Sequence, residues 1–243
     1  VWSEVEASRD RDALGLVQKK IASGEAALDE EEFSKAKEFF REAEGAAEQR
    51  VALRSLYVET RDRREKVDDI MATRRQFEDI SNTVDSKIDD LRMDAFGTDF
   101  SAAQALGQDI RNMFISSGWQ ARLDQTNDND NVTEGIDSAD IQAFRETMAE
   151  ALVLLARAED LGSAADKKDE SRRKAIRLLK EAEALAGPHW AISRMRVELY
   201  RALGELELEK SEQVRLEELV PNAVVDWMLQ SIIARQDGDI PAA

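Results

Sequence analysis

The chain has 243 residues, a net charge of −17, 35% charged residues and no cysteine. Without thiols it holds neither disulfides nor thiolate metal sites. Its acidic balance opposes general nucleic-acid binding, which needs cations to displace counterions from phosphate. No run approaches ~18 consecutive apolar residues, so no membrane-spanning helix and no direct membrane contact are predicted.

Three prolines and eleven glycines, with abundant Ala, Glu, Leu, Arg and Lys, predict an all-α chain. A Ser3–Glu6 capping box opens the first helix, whose stripe is Val5, Leu14, Val17, Ile21 and Leu28, with Gly24 admitting a close neighbour. The acidic turn Asp29–Glu32 puts negative charge at the start of a second helix, about Phe33 to Glu48. The stretch 49–93 has no proline or glycine and reads as one long helix, or as two with a break near Arg50. Val67, Ile70, Met71, Phe77, Ile80, Val84, Ile88 and Leu91 step by three and four, close to coiled-coil spacing. Between Val58 and Val67 lies only Glu59–Lys66, a solvated stretch expected to be held by ion pairs one turn apart. A short helix follows, roughly Ser101 to Ser116, with Ala103, Leu106, Ile110, Met113 and Phe114 inward and Gly118–Trp119 ending it. Residues 120–137 read as a flexible polar loop around the Asn/Asp run from Asp124. Asp137–Ser138 caps a helix carrying Ile141, Phe144, Met148, Leu152, Leu155 and Ala158. Lys167–Glu170 turns into the helix of Ala175, which Gly187 and Pro188 end. Trp190 to Leu203 continues in a charged extension through Lys210, Pro221 breaks before Val224 to Ile233, and Gly238 precedes a last helix start. Val1 stands in place of Met, and the chain stops at Ala243 as a helix begins, so it reads as a segment of a longer protein.

One face recurs. Ala36, Phe40 and Ala43 fall on one side of a helix and read small, large, small, the pattern of a helix packed closely on an antiparallel predecessor. Asp99-Phe100-Ser101-Ala102-Ala103 repeats the Glu32-Phe33-Ser34-Lys35-Ala36 motif, Asp239–Ala243 repeats it again, and Lys174-Ala175 with Leu179 and Ala182 is a weaker copy. The anchor alanines Ala36, Ala103, Ala175 and Ala243 are roughly 70 residues apart, about two ~34-residue helical repeats each. This helix resembles the second helix of a tetratricopeptide (TPR) repeat. Aligned on Ala36, Gly24 takes the family's glycine position, and aligned on Ala243, Trp227 takes its tryptophan position. Ser23 and Ala27 depart from its leucine and tyrosine, and Ser163 from a second glycine with Gly162 one out of step, so the repeats are degenerate. The order of elements, with Phe96-Gly97-Thr98-Asp99-Phe100, Ala175–Leu185, Gly187-Pro188 and Gly238-Asp239-Ile240, also resembles the helical region after the kinase domain of planctomycete-type bacterial serine/threonine kinases.

The resemblance implies antiparallel helix pairs stacked as a TPR-like right-handed superhelix, with one long helix near 49–93. Three parts are expected: 1–119 helical, 120–137 loop, and 138–243 helical hairpins. The packing residues are Gly24, Ala36, Phe40, Ala43, Ala103, Ala175, Leu179, Ala182 and Trp227.

No reactive constellation emerges. From Asp124, an EF-hand would need glycine and glutamate where Asn129 and Gly135 stand. His189 is the only histidine and reads as a surface residue at a helix start, with no second histidine or cysteine to build a zinc site. No glycine-rich phosphate loop and no kinase motif is present, so no enzyme activity, cofactor or metal is expected of this segment. Trp2, Trp119, Trp190 and Trp227 all lie beside apolar faces; Trp119, next to the polar run, is the one placed to meet a partner. Arg61, Arg63 and Arg64, and Arg172, Arg173 and Lys174, are basic clusters that read as solvated faces or as docking points for an acidic partner, with Arg61, Arg64, Arg172 and Arg173 the candidates. The expected function is a non-catalytic protein–protein interaction module with a groove that prefers basic segments. The alternative is a coiled-coil homodimer through 49–93.

Overall fold

The computed structural model describes residues 2–48, 50–97, 99–125 and 133–237, with side-chain surroundings for 8–48, 50–97, 99–123 and 133–231. The side chains of Trp2, Ser3 and Glu6, the run 126–132 and the final Asp239–Ala243 motif lie outside the described residues. Among the described residues there are ten α-helices and no strand. They are α1 (Trp2–Asp29), α2 (Phe33–Glu48), α3 (Arg54–Phe96), α4 (Phe100–Ser116), α5 (Trp119–Gln125), α6 (Ser138–Gly162), α7 (Lys168–Ala186), α8 (Trp190–Leu203), α9 (Leu206–Glu217) and α10 (Val224–Asp237). Single 3-10 turns at Val51–Leu53 and Ala165–Lys167 lead into α3 and α7. The chain forms two compact units: the first runs to Glu78 and takes in Thr133–Gly135, and the second begins at Asp79.

The first unit is built on the α1–α2 hairpin. Glu31, the only non-glycine among the described residues with a left-handed φ (57°), turns the chain, and Glu32 N–H donates back to Ala27 O at 2.8 Å. The hairpin closes tightly because of a size match. Ala36, Phe40, Ala43 and Ala47 make up the buried face of α2. Phe40 lies over Gly24 so closely that a Cβ there would sit 2.6 Å from the ring. Ala27, Ala36, Phe40 and Val67 form one core cluster, and Ala13, Val17, Ala43, Ala47 and Leu53 a second.

The break near Arg50 is real: Arg50 is extended (φ −121°, ψ 113°) and α3 starts after the following turn. The stretch Glu59–Lys66 differs from expectation. It does carry ion pairs one turn apart, Arg63 to Glu59 at 2.9 Å and Arg64 to Asp68 at 3.3 Å. It also reaches across to the hairpin, Arg63 to Glu25 at 2.7 Å and Arg64 to Glu44 at 2.7 Å, while Thr60 is buried and donates to Leu56 O. Charged side chains with long apolar stems cover the hairpin here, so the face is a contact and not a solvated surface. The three-four stripe of α3 is consumed within the chain: Val67, Ile70, Phe77, Ile80, Val84, Ile88 and Leu91 are all buried.

In the second unit α6 is the central helix. It is buried on nearly all sides from Met148 through Ala158, as expected of a helix hydrophobic all round. On one side lies α4, capped by Asp99, whose side chain accepts from Ala102 N–H at 3.0 Å. Gly107 of α4 meets Leu155 as Gly24 meets Phe40: a Cβ would come within 2.9 Å. Phe114 and Phe144 pack edge to face with centroids 5.9 Å apart. On another side α7 buries Ala175, Ile176, Leu178, Leu179, Ala182 and Leu185. Gly187 (φ 83°) ends α7, and α8 and α9 follow as successive packed helices.

Two boundaries depart from the sequence reading. Trp119 begins α5 and does not end α4; it is fully buried, with Arg122 stacked over its ring at 5.2 Å. The expected continuation of α8 through Lys210 is interrupted at Gly204, which adopts φ 73° and caps α8, so that α9 folds back on it.

Candidate functional site

Within the second unit a cleft of about 350 Å³ opens beside α6. Its floor is apolar, from Ala149 and Val153 of α6 and Ile192 of α8, and its walls carry Glu146, Glu150, Arg92 and His189. Asn222, Ala223, Val224 and Val225 close the remaining side at the start of α10.

One buried carboxylate holds that side in place. Asp226 is 0% exposed. Its Oδ1 accepts from Ala191 N–H at 2.8 Å, and its Oδ2 accepts from Asn222 and Ala223 N–H, each at 3.1 Å. Asp226 thus satisfies orphan donors at the N-termini of both α8 and α10 and puts negative charge at two positive helix ends. The two starts are pinned together, and this places His189 and Asn222 on the same cleft. His189 precedes the first residue of α8, and its Nδ1 is buried without a hydrogen-bond partner.

The charges along the wall are unequal. Arg92 holds Glu150 through two bonds, Nε to Oε1 at 2.6 Å and Nη2 to Oε2 at 2.8 Å, and a third bond goes to Asp89 at 2.6 Å. The Glu150 hydrogen bond, reinforced by the charges of both carboxylates against the cost of burial, pushes the Arg92 guanidinium well above its ordinary value. Its charge is therefore already matched. Glu146 accepts from its helix neighbour Gln142 at 2.8 Å and, among the described residues, meets no cation. The cleft is apolar below and acidic at its edge. Among the described residues no cluster of His, Cys, Asp or Glu has the make-up of a metal site.

The residues singled out from the sequence fall elsewhere. Gly24, Ala36, Phe40, Ala43, Ala103, Ala175, Leu179 and Ala182 are all buried. Trp227 is not a packing residue: it is 57% exposed, because Val225, Asp226 and Leu229 take the inward face of α10. Trp119 is not a surface for a partner, since the α5 turn carries it into the core. Arg61 pairs with Glu65 at 3.5 Å and Arg64 with Glu44 and Asp68. Arg172 pairs with Asp160 and Asp169 and donates to Ala202 O, while Arg173 stands 3.8 Å from Glu205. Both clusters are spent on the chain's own acids, and none of these residues lines the cleft. His189, expected at the surface or at a helix start, stands at the start of α8 and is half-buried. Asp226 is not among the expected site residues, although an acid three residues into a helix that follows Pro221-Asn222 is the capping-box position.

Comparison with protein-family models, with curated proteins and with solved structures finds no match for this chain.

Proposed function

We propose that this chain is a non-catalytic helical-repeat module, of TPR-like design, that binds basic amphipathic segments of a partner protein. In this reading it is a regulatory or scaffolding part of a larger bacterial signalling protein, of the serine/threonine kinase kind suggested by the order of its elements. The observation that carries the proposal is the run of exposed apolar side chains on α9, α10 and their connection: Leu206, Leu208, Val214, Val220, Val224 and Trp227. Half of the large apolar side chains exposed among the described residues lie between 206 and 227, and that concentration, on a chain of net charge −17, supports an interaction surface that would favour cationic segments. The repeated match of glycine against a large side chain, Gly24 with Phe40 and Gly107 with Leu155, supports the stacking of helix pairs.

The dimerisation reading draws no comparable support, because the α3 stripe it needs is already buried. An array of lysine-rich and glutamate-rich amphipathic peptides tests the module. Lysine-rich peptides are expected to bind, and capture of the glutamate-rich set alone would sink the proposal.

A further inference from the structure

We infer that the cleft beside α6 receives the cationic side chain of the partner segment, with its aliphatic stem on Ala149, Val153 and Ile192 and its charged head facing Glu146. This rests on the module reading above and names the place where such a segment is anchored.

Two independent observations converge. The cleft, at about 350 Å³, is large enough for one long side chain and has an apolar floor that suits methylene groups. Its charge is unbalanced: Arg92 is neutralised by Glu150 and Asp89, and among the described residues no cation pairs with Glu146. An anionic ligand would meet that carboxylate and find the one guanidinium already engaged, whereas a cation would find an open partner.

The cleft is also continuous with the exposed apolar run. Val224 both lines it and is 54% exposed, and Trp227 lies one turn further along the same side of α10. A segment lying along Val224 and Trp227 with apolar residues would drop a neighbouring basic residue into the cleft. This is the spacing of an amphipathic helix in a groove.

The test is fluorescence anisotropy on the whole chain. The probe is a labelled twelve-residue peptide of repeating Ala-Leu-Lys with blocked ends, and its Ala-Leu-Glu counterpart is the control. Three variants alter exposed positions on α6, with thermal melting followed by circular dichroism to establish that each stays folded. Removing the Glu146 charge in Glu146→Gln is expected to weaken lysine-peptide binding about threefold, and reversing it in Glu146→Lys about tenfold or more. Ala143→Trp, which fills the cleft from its rim, is expected to abolish binding. If the lysine peptide binds and all three variants bind it as well as the parent does, the cleft assignment falls and the module reading stands. If the glutamate peptide binds and Ala143→Trp blocks it, the charge assignment is overturned. If neither peptide binds, the module reading falls and the anchor falls with it.

Discussion

At the scale of single residues, the fold depends on a few places where size or charge admits no substitute. Gly24 is the clearest. A methyl group there would stand 2.6 Å from a Phe40 ring that is itself fully buried and has nowhere to move. Alanine is the better helix former by about 1 kcal/mol, but overpacking a filled core costs about 1–3 kcal/mol. Gly24→Ala is therefore expected to destabilise the first unit, seen as a lower urea midpoint; an unchanged or raised midpoint would show that the ring yields. Glu183 is a second such place. Burial alone would raise its carboxyl, but the hydrogen bonds and charges of Arg196 and Arg215 prevail and hold it below the usual glutamate value. A carboxyl held low stabilises the fold at pH above its unfolded value, and that contribution is lost as pH falls through the folded one. Wild type is expected to lose stability between about pH 5 and about pH 3 more steeply than Glu183→Gln. Parallel curves for the two would mean that the pairing contributes nothing.

At the scale of elements, buried polar groups decide how the C-terminal helices meet. Arg196 of α8 is 3% exposed; it donates to Glu183 at 2.7 Å and to Leu179 O at 2.9 Å on α7, and it lies 3.7 Å from Glu212 of α9. Glu212 also accepts from Ser193 at 2.7 Å. One guanidinium thus ties three helices, and its removal leaves the partly buried Glu183 with Arg215 alone and Glu212 with Ser193. Arg196→Ala is expected to cost about 2–3 kcal/mol, measured by chemical denaturation. A loss of under 1 kcal/mol would mean that water replaces the guanidinium. Asp226 plays the same part for α8 and α10. Asp226→Ala removes the acceptor that backbone N–H donors share at both helix starts and is expected to cost about 2 kcal/mol. Hydrogen exchange should quicken at Ala191, Asn222 and Ala223 before it does so elsewhere in the second unit. Uniform protection at those amides would count against the shared cap.

At the scale of the whole molecule, association follows from what remains exposed. The α3 stripe, spaced for a coiled coil, is consumed inside the chain, so the intact protein is expected to sediment as a monomer at micromolar concentration. A dimer that dissociates when Val67 or Ile80 is changed to a charged residue would contradict this. Binding of basic segments, by contrast, should weaken as salt rises, since a net charge of −17 acts over a Debye length of only ~8 Å at physiological ionic strength.

What could be read from the chain alone is what neighbours in sequence impose. Helical composition, the turn at Asp29–Glu32, the break by Arg50 and the small-large-small face of α2 all follow from local propensity and from steps of three and four, which any helix converts into one side. The candidate cleft was scarcely legible: its residues come from α3, α6, α8 and α10, and only tertiary packing brings them together. The same reason explains the tryptophans. Trp119 and Trp227 sit in similarly apolar surroundings along the sequence, yet one is enclosed and the other exposed, because burial depends on which other helix arrives at that face. So too with the arginines from Arg61 to Arg64: the sequence shows acids one turn away, but Glu25 and Glu44 reach them only once α1 and α2 have folded beside α3. Sequence dictated the local geometry of each helix, and long-range contact decided which of its side chains water would still touch.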